Sequence, residues 1–420
     1  MAITTETLRR IIREGQELIE EVNLYERPTD FEEEGHYVLV GIRQAGKSYM
    51  LYQKAKQMLE NHSIEEIVYV NFDDERLLGM EASELDLILQ SYSSVYHHRP
   101  LLFFDEIQNV DGWEHFARRL ADQKYHVCIT GSNAKMLSQD IQTTLGGRYI
   151  SKIVTPYSFM EYIDSQGIRR GKEWQHGKTR AAVQQKMGEY LEWGGFPELM
   201  LFKNKRSWLN DLYEKILLGD VMQRNRVKNG LALRMAIKRL AESVKQPTSY
   251  RRLTNLITGT GVKTSVSSVI DYIGYAREAF IVFSLENFSS KFVEKETIRK
   301  HYFTDNGLLN IFLNNDKTAL LENLCATHLH RKYGSELYFW NKNVEIDFYV
   351  PEASYAVQAC YTMADSYTAE REIDALRKFY KREHPNRMVI VTYDEEATIP
   401  VSGGGVIEVV PVWKWLLEEE

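Results

Sequence analysis

The chain has 420 residues, 44% hydrophobic and 26% charged, with a net charge of −7. That length supports two to four domains with sizeable cores, and the acidic balance excludes a global basic field for nucleic acid while leaving room for local basic patches. Cys128, Cys325 and Cys360 lie too far apart for a disulfide framework and fit a reducing compartment. With no signal-like apolar region at the N-terminus and no apolar run near 18 residues, the expectation is a cytoplasmic protein that does not enter a membrane.

Residues 1–35 read as an amphipathic helix (LRRIIREGQELIEEV) and an acidic turn. Tyr37-Val38-Leu39-Val40 is a β-prone apolar run that stops at Gly41-Ile42-Arg43-Gln44-Ala45-Gly46-Lys47-Ser48. These eight residues match G-x-x-x-x-G-K-[ST] at every fixed position. In such a loop the backbone from Gly41 through Gln44, Ala45 and Gly46 turns its N–H groups onto an anion. Lys47 reaches the β- and γ-phosphates of ATP, and the Ser48 hydroxyl sits on Mg²⁺. A helical stretch from Ser48 to Glu60 points its N-terminus at the phosphates. A chance match on a glycine-rich turn is disfavoured by the strand before and the helix after.

A strand over Glu65–Phe72 precedes a second motif, Arg99–Glu106 (RPLLFFDE), an apolar strand ending in two carboxylates. Asp105 is placed to hold the Mg²⁺ shell, and Glu106 to polarise a water for attack on the γ-phosphate. Alone, this segment reads better as a buried strand with an acidic turn; paired with the loop at 41–48, it reads as an ATPase motif. The next strand, Val127–Thr130, leads into Gly131-Ser132-Asn133. Ser132 or Asn133 either orients the attacking water or caps the helix beginning near Ala134, and both readings stay open. Gly146-Gly147-Arg148 offers an arginine finger toward a neighbouring subunit's nucleotide, which would require a homo-oligomer. The rival reading is a salt-bridged arginine opening the strand Tyr149–Val154. This order of elements predicts an α/β fold, a P-loop parallel sheet with helices on both faces, over residues 1–155.

Residues 156–245 read as a helical, lid-like region broken at Gly194-Gly195-Phe196-Pro197. At this point the motifs GIRQAGKS, YVNFDDERL, LLFFDEIQNV, ITGSNA, LGGRY, TPYSFMEY and GGFPE carry a resemblance over nearly the whole chain. It is similar to the bacterial and archaeal AAA-type ATPases that bear a DUF4143 C-terminal region. The resemblance implies ATP binding and hydrolysis, a winged-helix module and a restriction-endonuclease-like C-terminal domain.

Residues 246–312 give that module local support. Tyr250–Ile257 is a short amphipathic helix, Gly259–Gly261 a turn, and Ser265–Phe280 a second helix. Lys263, Thr264, Ser267, Ser268 and Tyr272 fall at its start or on its polar side, as in a recognition helix, and Arg251, Arg252 and Lys263 are candidates for DNA phosphates. A protein-binding winged helix is the alternative, given the acidic net charge.

Residues 313–420 read as a degenerate nuclease-like domain. Glu345 and Asp347 share one strand face, and Glu322 lies on or near an apolar helix face with Leu321, Cys325 and Leu329. The family pattern would add Glu-x-Lys on the next strand, where this chain has Gln358-Ala359-Cys360, so nuclease activity is not expected. His328 and His330, two apart on a helix, face apart and make a poor metal pair. The function expected is a Mg²⁺-dependent ATP-binding and ATP-hydrolysing switch or motor acting with nucleic acid. The alternative is an ATP-gated module that binds a protein partner. A small-molecule kinase is disfavoured, because Glu106 beside Asp105 suits water activation.

Overall fold

The structure is a computed structural model describing residues 3–32, 34–171, 174–313 and 315–418. Its contacts divide the chain into Met1–Thr155 and Pro156–Glu420. In the first unit four short, largely apolar runs and a more polar edge segment form the parallel strands β1 (Tyr37–Val40), β2 (Ile67–Asn71), β3 (Leu101–Asp105), β4 (His126–Gly131) and, at the edge, β5 (Ile150–Ile153). Their order is β2-β3-β4-β1-β5. Every residue of β1 and β3 is buried, as strands covered on both faces must be. The covering helices are α1 (Thr5–Glu21), α2 (Lys47–Met58), α3 (Asp86–Ser93), α4 (Trp113–Asp122) and α5 (Gln139–Leu145). The N-terminal amphipathic stretch is α1, begun by the Thr4 hydroxyl, which accepts from the Thr7 N–H at 3.2 Å.

The second unit begins with α6 (Phe159–Ser165), α7 (Gly177–Trp193) and α8 (Lys205–Lys215), the last running into a π-helical stretch, Ile216–Gln223. Next come α9 (Gly230–Glu242), β6 (Thr248–Ser249), α10 (Tyr250–Thr258), α11 (Val266–Glu278), β7 (Val282–Glu286), α12 (Phe292–Thr297) and β8 (Ile298–Phe303). The three strands pair antiparallel in the order β6-β8-β7. After α13 (Asn306–Asn310) and α14 (Lys317–Tyr333) the chain forms a six-stranded mixed sheet. It contains β9 (Tyr338–Asn341), β10 (Glu345–Val350), β11 (Tyr355–Ala359), β12 (Arg387–Thr392), β13 (Ala397–Val401) and β14 (Gly405–Pro411). Their order is β13-β14-β12-β11-β10-β9, with α15 (Ser366–Glu383) between β11 and β12 and α16 (Val412–Glu418) at the end.

A buried polar junction organises this unit. The Asp305 carboxylate accepts from Gly195 N–H at 2.8 Å and Gly307 N–H at 2.7 Å. Gly194 has φ +76°, and a Cβ there would lie 2.0 Å from Asp305 Oδ1. The GGFP break is therefore a packing device that only glycine fits. Asn323 of α14 bonds both backbone groups of Phe303 in β8, at 2.8 and 3.0 Å, and fastens the three-stranded sheet to the helix of the acid cluster. Among the described residues no helix is long and apolar enough to cross a membrane.

Candidate functional site

β1 delivers the chain into the glycine-rich loop at the C-terminal edge of the sheet. A Cβ on Gly41 would stand 1.9 Å from the carbonyl oxygen of Val154, so the close backbone approach admits glycine alone. Gln44 and Gly46 are left-handed, at φ +62° and +99°, and their successive turns curl the Gly41–Ser48 backbone around one centre. α2 begins at Lys47, so its free N–H groups face that centre. The Lys47 side chain is buried, and its ammonium donates to the Ile42 carbonyl at 3.3 Å and pairs with Glu106 Oε1 at 3.3 Å.

β3 ends level with the loop and supplies both carboxylates. Asp105 accepts from Tyr69 at 2.8 Å and from the Thr130 and Ser48 hydroxyls. Burial, then the charge of Glu106, pushes its carboxyl above the ordinary range. Ser48 and Asp105 thus set two hard oxygen donors side by side, the chemistry a hydrated divalent cation takes. Glu106 sits in the left-handed region at φ +52°, its N–H held by Thr130 Oγ1 at 3.0 Å. Burial raises its carboxyl, but Lys47, Gln108 and Arg43 together more than offset that, leaving it below the usual carboxylate value.

The sensor candidates follow directly on β4, which lies between β3 and β1. Ser132 Oγ is 3.4 Å from Gln108 Nε2, whereas Asn133 accepts from the Lys135 N–H at 2.8 Å and caps the turn Ala134–Leu137. Arg148 is not brought to the loop of its own chain. It precedes Ile150, which pairs with Tyr37 at the start of β1, so the length of the sheet, about 10 Å at 3.3 Å per residue, separates the two. There it forms an ion pair with Asp122 and donates to the Gly146 carbonyl at 3.1 Å.

The acid residues of the second unit converge on a cation that sequence reasoning missed. Lys300 Nζ, fully buried on β8, lies 3.3 Å from Glu322, 3.3 Å from Glu345 and 3.0 Å from Asp347. Tyr302, on the same face of β8, donates to Glu322 at 2.8 Å. Gln358 and Cys360 do not join the carboxylates as donors to a common ion. Gln358 accepts from Asp347 N–H at 2.7 Å and donates to Glu372 at 2.9 Å, and the Cys360 thiol donates to the Thr362 carbonyl at 3.1 Å. The local signal was spacing alone: Lys300 and Tyr302 are two apart on β8 and so share one face of it. His328 and His330 do face apart: His328 packs on Trp415, and His330 stacks on Phe283 at 4.2 Å between ring centres. Burial pushes the His328 imidazole down to about 3. Among the described residues no group of three or more His, Cys, Asp or Glu could hold a metal ion.

On α10, α11 and the turn between them, Arg251, Arg252, Lys263 and Ser267 are exposed, together with apolar Leu256, Val266 and Ile270 and acidic Asp271. Tyr272 is a correction to the sequence reading: it turns into the core with Val269, Ile273 and Ala276, the buried stripe of α11.

A strand feeding a glycine loop, a helix opening on its lysine, and a neighbouring strand ending in Asp-Glu define a nucleotide-binding site of the P-loop ATPase class. The family model for the first unit agrees. Residues 33–163 match an AAA domain, 184–319 a domain of unknown function (DUF8612) and 317–415 another (DUF4143). An uncharacterized protein of Methanocaldococcus jannaschii is 31% identical over 395 residues, covering 90% of this chain and 88% of that one. An uncharacterized protein of Haemophilus influenzae is 26% identical over 393 residues, covering 91% and 94%. The chain belongs to the family of AAA-type P-loop ATPases with a DUF4143 C-terminal region. Among solved structures, the Walker-type ATPase PABY2304 of Pyrococcus abyssi is 12% identical with a TM-score of 0.45, covering 74% of this chain and 96% of that chain. The Aeropyrum pernix ORC1 protein in complex with DNA is 14% identical with a TM-score of 0.30, covering 78% and 95%.

Proposed function

We propose that the protein is a Mg²⁺-dependent ATPase that works as a switch or motor with nucleic acid. The observation that carries the reading is the meeting of Lys47, Ser48, Asp105 and Glu106 at one strand edge, with Lys47 held on Glu106 at 3.3 Å. The Gly41–Ser48 backbone binds the phosphates, and Lys47 exchanges Glu106 for phosphate oxygens. Ser48 and Asp105 would hold Mg²⁺, which when bound supplies Lewis-acid neutralisation of phosphate charge. Glu106, released from Lys47, accepts a proton from the attacking water. Arg148 reaches a nucleotide only on a neighbouring copy, so its finger role requires a homo-oligomer and the opening of its Asp122 pair.

The short strand β6, the helices α10 and α11, and the strands β7 and β8 that pair antiparallel with one another support a winged-helix reading of residues 246–312, with Arg251, Arg252 and Lys263 meeting phosphates. A second reading, an ATP-gated module for a protein partner, is favoured by exposed Leu256, Val266 and Ile270. Lys300 supports a docking role for the C-terminal region in place of metal-dependent cleavage, because an ammonium already neutralises its carboxylates. The test is the ATPase rate with and without single-stranded, duplex and forked DNA. Stimulation lost in Arg251→Ala/Arg252→Ala supports the first reading. A rate and a DNA affinity indifferent to all three DNAs overturn it in favour of the second.

A further inference from the structure

We infer that Gln108 is the positioning residue of the hydrolytic step, acting through Glu106; this rests on the ATPase reading above. The left-handed turn at Glu106 folds the following 3₁₀ turn, Ile107–Asn109, back over the end of β3. Gln108 Nε2 thereby donates to Glu106 Oε2 at 2.6 Å, while Glu106 Oε1 faces Lys47. The two carboxylate oxygens have separate tasks: one is tethered by an amide, and the other is paired with a lysine that phosphates would draw away.

The tether fixes which way the amide faces. With Nε2 on a carboxylate, the carbonyl Oε1 must point away from it. That oxygen is buried, and among the described residues nothing donates to it. A buried acceptor without a donor is costly, so its presence calls for an explanation. Its location supplies one. It lies over Gly131, where a Cβ would come within 2.4 Å of it. Gly131 is level with Val40, the last residue before the phosphate loop, and its carbonyl accepts from the Gly41 N–H at 3.4 Å. The orphan acceptor therefore stands beside Met136 Sδ over the end of β4, the strand between the one that ends at the proposed base and the one that feeds the phosphate loop. A water there can donate one hydrogen to Glu106 and the other to Gln108 Oε1, which orients its lone pair. Ser132 Oγ, 3.4 Å from Gln108 Nε2, braces the amide from β4.

A turn-stabilising glutamine would influence folding alone. A positioning glutamine changes kcat, its pH profile and its coupling to Glu106. The experiment uses the full chain with Mg²⁺ and ATP, comparing wild type, Gln108→Ala, Gln108→Glu, Glu106→Gln and the double variant Glu106→Gln/Gln108→Ala. Fluorescent-nucleotide binding, abolished in Lys47→Ala, verifies the site in each sample. Gln108→Ala should lower kcat about 10-fold with nucleotide affinity within about twofold, and the acid limb of kcat should move to higher pH. The direction follows from losing an N–H donor that favours the Glu106 carboxylate. Gln108→Glu, which keeps the shape and sets a like charge against Glu106, should move that limb further. In the Glu106→Gln background Gln108→Ala should cost nothing more. An unshifted profile with unchanged kcat, or an undiminished loss in the Glu106→Gln background, overturns the inference alone. A wild-type chain that binds ATP and never turns it over overturns the hydrolytic reading and this inference with it.

Discussion

Lys300→Met removes the only cation shown pairing with Glu322, Glu345 and Asp347 among the described residues. Glu322 and Asp347 are largely shielded from water, while Glu345 is half exposed and loses little. Breaking a buried pair by deleting one partner costs about 3–5 kcal/mol, since the survivor is left charged and desolvated. At about 2–4 °C per kcal/mol for a body of this size, the melting temperature of the second unit should fall by roughly 6–20 °C. The loss should also depend on pH. Burial, with a further push from Asp347, lifts the Glu322 carboxyl to about 7 against an opposing pull from Lys300 and Tyr302. A carboxyl held above its unfolded value of 4.5 binds its proton more tightly when folded. Its ionisation therefore opposes folding, and stability declines as pH rises from about 4.5 to about 7. Without Lys300 that window extends upward, so the variant should melt further below wild type at pH 8 than at pH 6. Differential scanning calorimetry at both values is the assay. Lys300→Met/Glu322→Gln should recover part of the loss, because the most buried of the carboxylates is then neutral while Asp347 stays charged. A variant melting within about 2 °C of wild type at pH 8 would refute the reasoning.

Gly41→Ala should abolish nucleotide binding, because its Cβ meets the Val154 carbonyl at 1.9 Å and displaces the loop; fluorescent-nucleotide titration checks this. Gly194→Ala combines a positive φ with a 2.0 Å contact to Asp305 and should destabilise the second unit by several kcal/mol, on the scale of overpacking plus backbone strain; urea unfolding measures it. Arg148→Ala should keep ATP binding and lose hydrolysis, and mixing it with Glu106→Gln should restore part of the rate through mixed interfaces. A monomer with full turnover contradicts that role.

Much of the first unit was legible because local chemistry dictates it. A P-loop needs glycine where backbones crowd, as at Gly41, and lysine where a helix opens, as at Lys47. Strand runs such as LLFFD are apolar because both faces of the sheet are covered. Relations between distant segments were not legible. Nothing near Lys300 names Glu322, Glu345 and Asp347 as its partners, since a lysine between Arg299 and His301 reads locally as a solvated residue. Tyr272 was misplaced for a related reason: a helix-start polar cluster suggested a solvent face, while the spacing with Val269, Ile273 and Ala276 marks the core stripe. The Gly194-Gly195 break was visible as punctuation, but its partner Asp305 is more than a hundred residues away.

The central claim is that Lys47, Ser48, Asp105 and Glu106 form one ATP-hydrolysing site. The most direct test measures ATP binding and phosphate release on the same samples of wild type, Lys47→Ala and Glu106→Gln, with Mg²⁺ present. Wild type should bind and turn over. Lys47→Ala should lose binding, and Glu106→Gln should keep binding while releasing phosphate more slowly by about 10²-fold or more. Binding and turnover unchanged in Lys47→Ala would contradict the account.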